Sequence, residues 1–174
     1  KGVALYYLSQ LEESKNSLEE ALELKNEDEG SNHFIGMVYL AQNEPGTAYD
    51  YLIKASVLDS VNVDIWFHLG QACMRLENWS DSEKYLQRST QLNERNKEAF
   101  YSLGQVYQKI NEPDKSRRYL ASFKKLSDFE QERDALLTEI RVRPGELHLY
   151  RKLATLYGDH GYVVDAAEVW KKSA

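Results

Sequence analysis

WFHLGQACMRL, residues 66–76, places Trp66, Leu69, Ala72, Cys73 and Leu76 at helical spacing, with a glycine, Gly70, in the interior. A glycine inside a helix is disfavoured by about 1 kcal/mol relative to alanine. Something in the packing must require it. The residue has copies: Gly2, Gly36, Gly70 and Gly104 stand 34 residues apart, and their neighbours keep the register. Ile35, Leu69 and Leu103 precede three of them. Leu5, Tyr39, Cys73 and Tyr107 follow by three positions, the small residues Ser14, Ala48, Ser82 and Ser116 by twelve, and Leu18, Leu52, Leu86 and Leu120 by sixteen. Self-similarity at a fixed period of this length is the signature of stacked supersecondary units, each too small to bury its apolar face alone.

Each unit reads as two helices. The first carries the glycine and ends near Asn43, Asn78 or Asn111, residues that suit helix ends and turns. Pro45, Trp79 and Pro113 share one column. Proline there suits the first turn of a second helix, where its missing N–H has no helical partner. Tyr85, Leu86, Ser89 and Leu92 share one face of that second helix, and Leu24, Leu58, Leu92 and Leu126 close the units.

This pattern resembles the tetratricopeptide repeat. That family's unit of 34 residues places a Trp, then Leu-Gly, then Tyr, then a small residue and an apolar one. The copies are Trp66, Leu69-Gly70, Cys73, Ser82 and Leu86; then Phe100, Leu103-Gly104, Tyr107, Ser116 and Leu120; then Asn32, Ile35-Gly36, Tyr39, Ala48 and Leu52. A last copy, Tyr150, Leu153-Ala154, Tyr157, Ala166 and Trp170, has alanine in the glycine column, which leads to the expectation that Gly70→Ala is tolerated. The resemblance implies an all-α, right-handed α-solenoid of antiparallel helix pairs, with the first helix of each pair lining a concave groove. The expected units are 1–28, 29–62, 63–96, 97–130 and 147–174. Ala154 follows Gly104 by 50 residues, which leaves a helical insertion at 131–146. Phe129, Leu136, Leu137 and Ile140 fall on one helical face there, and nothing breaks a helix before Pro144-Gly145. Either the second helix of the fourth unit runs on to about residue 141, the favoured reading, or Ser127 and Glu130 form a capping box that opens a separate helix at about 127–142. The chain is read as an excerpt of a longer repeat protein.

Composition narrows the function classes. Net charge is −6, which argues against sequence-independent nucleic-acid binding. Residues 1–30 alone carry eight acids against three lysines, whereas Lys115, Arg117, Arg118, Lys124 and Lys125 form a basic cluster. No apolar run approaches the ~20 residues of a membrane span. The compartment is left open, with the cytoplasm favoured. Cys73 is the single cysteine and should be a packed, inert thiol. His33, His68, His148 and His160 show no i, i+4 metal spacing, and no phosphate-binding or nucleophile motif is present. No catalytic residue, metal or cofactor is expected.

On the family geometry, the groove falls to Tyr6, His33, Met37, Leu40, Phe67, Gln71, Met74, Tyr101, Gln105, Gln108 and Arg151. Aromatic and Met side chains offer contact area and the glutamines can bond a peptide backbone, so the expected partner is a protein or peptide segment. Family members that clamp acidic chaperone C-termini use lysine and asparagine where this chain has His33, Met37, Phe67 and Gln71, so an adaptor of that type is disfavoured. Two alternatives remain at this level: a self-assembling module that stacks through its end faces, and a regulatory arm of an enzyme whose catalytic domain lies outside this sequence.

Overall fold

A computed structural model describes residues 1–25 and 27–172. Residue 26 and the last two residues of the fifth expected unit lie outside the described residues. Among those described there are ten helices and no strand: α1 (Gly2–Tyr7), α2 (Leu11–Leu24), α3 (Glu29–Ala41), α4 (Pro45–Leu58), α5 (Val63–Arg75), α6 (Trp79–Leu92), α7 (Lys97–Lys109), α8 (Pro113–Val142), α9 (Leu147–Asp159) and α10 (Val163–Lys172). The fold is an α-solenoid. The chain divides into two compact units, residues 1–120 and 121–174, with α8 contributing its first turns to one and the remainder to the other.

Within the first unit, α1 packs on α2, α3 on α4 and α5 on α6. Each second helix also packs on the next first helix, and the first helices α1, α3, α5 and α7 touch in succession. The glycine column explains the intrahelical glycines. A Cβ added at Gly2, Gly36, Gly70 or Gly104 would lie 2.5, 2.6, 2.5 or 2.6 Å from a carbon of Leu18, Leu52, Leu86 or Leu120. The two repeating columns, glycine and leucine sixteen later, are thus the two sides of one contact. Beside it, Ser14, Ser82 and Ser116 are buried and donate their Oγ–H to the carbonyls of Gly2, Gly70 and Gly104 at 2.9, 2.9 and 2.8 Å. The column that sequence reads only as small is therefore a hydroxyl bridge between the helices of a pair.

The turns within pairs are also copies. Ser9, Asn43, Glu77 and Asn111 have φ of 59°, 60°, 56° and 60°, and Gly161 has 78°. Each left-handed residue donates its N–H two residues behind the helix cap (Glu77 to Met74), and its successor reaches one residue further back (Asn78 to Cys73). This double closure satisfies the last carbonyls of the first helix. The turn residue in the middle pair is thus Glu77. Asn78 belongs to the next column and caps α6, its side chain accepting from the Asp81 N–H. A non-glycine residue is disfavoured at such φ by about 1–2 kcal/mol. Glu77→Gly should therefore stabilise the chain by about 1 kcal/mol, raising the urea midpoint, with a smaller gain for Asn43→Gly because Asn adopts this conformation more readily. An unchanged midpoint for Glu77→Gly would contradict this account.

Two expectations need correction. Leu24 and Leu58 end α2 and α4, but they do not close an apolar core: Leu24 is 91% exposed and Leu58 is exposed as well. Leu137 likewise faces solvent, while Phe129 and Leu136 of the same stretch are buried. In α8 the Ser127–Glu130 pair opens no new helix; the helix is continuous from Pro113 to Val142. The second unit is built on that continuity. Phe129 and Leu136 form a core with Leu149, Leu153, Leu156 and Tyr162, and the rings of Phe129 and Tyr162 stack at 4.5 Å.

Candidate functional site: the first-helix face

Consecutive first helices carry rings in adjacent columns, and these rings meet. In the first unit, Tyr6 of α1 lies edge-on to Phe34 of α3 at 5.9 Å, and Phe34 neighbours His33 at 5.5 Å. His33 meets His68 of α5 at 5.1 Å, and His68 neighbours Phe67 at 5.3 Å. A ribbon of rings therefore crosses three first helices and joins three of the expected groove residues, Tyr6, His33 and Phe67. Tyr7 adds an exposed ring at 6.1 Å from Phe34.

The histidine pair is the polar link in this ribbon. His33 Nε2 and His68 Nδ1 are 3.0 Å apart, so one nitrogen donates to the other. His33 is only 7% exposed. Burial, with the neighbouring His68 ring as a second cause, holds its pKa down at about 4, and burial lowers His68 against the opposing pull of Asp64. Both rings are neutral at pH 7. In the sequence the two histidines stand at nearly equivalent positions on successive first helices, and i, i+4 spacing does not pair them. The signal was their 35-residue separation: one more than the period sets His68 one column past His33.

The remaining expected groove residues divide by environment. Leu40 is 5% exposed and belongs to the core with Leu52, Leu69 and Cys73, so it offers a partner almost no surface. His33 is buried as well and supports the ribbon from beneath. Phe67 and Met74 stay half-buried and pack against Leu86, Ala99, Leu103, Val106 and Tyr107. Tyr6, Met37, Gln71 and Gln105 are half-buried, Gln108 is exposed, and Tyr101 is 43% exposed. Arg75, outside the expected set, donates from its guanidinium to the carbonyl of Leu40 and ties α5 to α3. Arg151 is exposed on α9 in the second unit.

Reactive chemistry is weakly represented. Burial pushes the Cys73 thiol up to about 12, so it stays protonated. Among the described residues, no three or more His, Cys, Asp or Glu side chains gather where they could hold a metal ion, and no helix is long and apolar enough to cross a membrane.

The fold is that of a helical-repeat protein. Residues 1–28 and 63–96 each match the family description of a tetratricopeptide repeat, so the chain carries tetratricopeptide repeats. No curated protein matches the sequence. Solved structures share the fold. A crystal structure of MamA is 22% identical, with 99% of this chain and 91% of that chain covered and a TM-score of 0.66. YrrB, described as a TPR protein with an unusual peptide-binding site, is 22% identical over 99% of this chain and 80% of its own, with a TM-score of 0.66. PilF of Pseudomonas aeruginosa is 19% identical over 99% and 71%, with a TM-score of 0.62.

Proposed function

We propose that the chain is a non-catalytic scaffold that captures a protein or peptide segment on the first-helix face of residues 1–120. The observation that carries this reading is the ribbon of rings from Tyr6 to Phe67, partly exposed on either side of the buried His33 and continued by Met74 and Tyr101. The glycine–leucine contacts pack the two helices of each pair, and the solvent-facing parts of Tyr6, Phe67 and Tyr101 are left for a ligand. Half-buried Gln71 and Gln105 add amides for a bound backbone. The likeness to YrrB supports the same reading.

Phe67→Ala with Tyr101→Ala should weaken a captured segment by about tenfold or more, in line with aromatic anchors worth about 2 kcal/mol. Tyr101→Ala with Gln105→Ala should weaken it less and leave the circular dichroism spectrum unchanged, since Phe67 also packs on the core. A partner identified by pull-down and titrated by calorimetry checks both. Equal affinity for wild type and both double variants would overturn the reading. A second reading, copies stacking through their ends, is favoured by the exposure of Tyr7 on α1 and Leu8 just after it, and of Val163 and Val164 on α10. A constant monomer mass at rising concentration would remove it.

A further inference from the structure

In the second unit, an open cleft of about 710 Å³ lies between the end of α8 and α9. Leu136 and Leu156 lie at its base, largely buried in the core of the unit, and the small, exposed Ala135 and Thr155 beside them form the accessible floor and leave room above. The two helices run antiparallel, since Phe129 meets His160 at 4.8 Å while the connecting turn joins Arg143 to Glu146. The charged residues on the rim therefore sort by end. Near the turn stand Arg151 and Lys152, and the acid on their side, Glu139, is taken by Arg143 at 3.0 Å. At the far end stand Glu132 and Asp159. Among the described residues, none of Arg151, Lys152, Glu132 and Asp159 has a charged partner. The cleft is basic at one end, acidic at the other and apolar between, with the ends about 10 Å apart by the seven-residue step from Glu132 to Glu139.

We infer that this cleft is a docking site for an amphipathic helix that carries an acidic and a basic residue two turns apart on its apolar face. The spacing matches: seven residues of a helix span the same ~10 Å, and aliphatic side chains at i+3 and i+4 from either charge fall over the floor at Ala135 and Thr155. The acidic residue meets Arg151 and Lys152 and the basic one meets Glu132 and Asp159. The charges fix which end lies where, and the apolar floor supplies contact. The site deepens the reading of the chain as a segment-capturing scaffold and rests on it, but it uses none of the rings of the first unit.

The test uses the full chain and three synthetic helical peptides with the same leucines. One carries lysine and glutamate seven residues apart, one lysine at both positions, and one glutamate at both, each with a fluorophore for anisotropy. Wild type should bind the mixed peptide at least tenfold more tightly than either of the others. Arg151→Glu with Lys152→Glu, both exposed positions, should keep the helical spectrum and shift the preference to the double-lysine peptide. Equal binding of all three peptides, binding of none, or a preference unmoved by the variant overturns the assignment. Loss of the mixed peptide in Phe67→Ala with Tyr101→Ala would place it on the first unit, which overturns this site while leaving the scaffold reading intact.

Discussion

Gly70→Leu is expected to unlock α5 from α6. The Cβ of any residue at position 70 would sit 2.5 Å from Leu86 Cγ and 2.6 Å from its Cδ2, and Leu86 is fully buried. Leucine adds three further carbons at the same place, so its effect should exceed the ~3 kcal/mol upper end of ordinary overpacking. This geometry weakens the analogy with Ala154 on which the expected tolerance of Gly70→Ala rests. The column sixteen after Ala154 holds Trp170, which is half-exposed, rather than a buried leucine. Alanine at 70 gains about 1 kcal/mol of helix propensity and loses about 1–3 to overpacking, so the net ranges from neutral to a destabilisation of about 2 kcal/mol. Gly46→Ala is the control: nothing lies within 4 Å of its Cβ, and the change should be neutral or stabilising. Urea titration followed by circular dichroism reads all three. Leu86→Ala alone should destabilise by about 2–5 kcal/mol, and combined with Gly70→Ala it should fall short of the sum by about 1 kcal/mol or more. Strict additivity would mean that the two columns do not meet.

Stability should also fall in mild acid because of the His33–His68 pair. Both imidazoles have pKa values below their ordinary 6.5 in the folded chain, His33 at about 4. The unfolded chain binds protons below pH 6.5 that the native pair refuses, so the contribution is fully present above 6.5. It declines as pH falls and levels off once pH is below about 4. His33 alone accounts for about 3 kcal/mol across that window. Asp28 titrates elsewhere: its carboxylate, held below the usual range first by the Ser31 backbone N–H, weakens the fold only at more acid pH. Urea midpoints at pH 7.5 and 5.0 should differ clearly in wild type and much less in His33→Phe with His68→Phe. An equal difference in both chains would show that other groups set the pH response. A loosened pair would also disturb the ring ribbon, so segment binding through Phe67 should weaken over the same range.

The period of 34 and the residues that keep it determine the fold. Gly2, Gly36, Gly70 and Gly104 can be read as helix-crossing points because a glycine in an apolar helical pattern is disfavoured unless a neighbour occupies its space, and the leucine sixteen later names that neighbour. Pro45 and Pro113 mark helix starts because proline lacks the N–H that a first turn leaves unpaired. Local chemistry of this kind repeats faithfully enough to be read from one chain. The candidate face is only partly legible, because columns state which side of a helix a residue faces but not how far its neighbour reaches. Leu40 reads as groove floor and is core; Leu24 reads as a closing apolar residue and is bare. The serine column reads as small and proves to be a set of hydrogen bonds, since only the packed pair brings each Oγ to a glycine carbonyl. The sequence therefore determined the repeat, its helix pairs and their contact points through periodic local constraints. Only the tertiary structure decided that His33 meets His68 and that α8 continues past Ser127. It also decided that the charges of α8 and α9 sort to opposite ends of a cleft, because those relations depend on distances between elements that no single periodicity encodes.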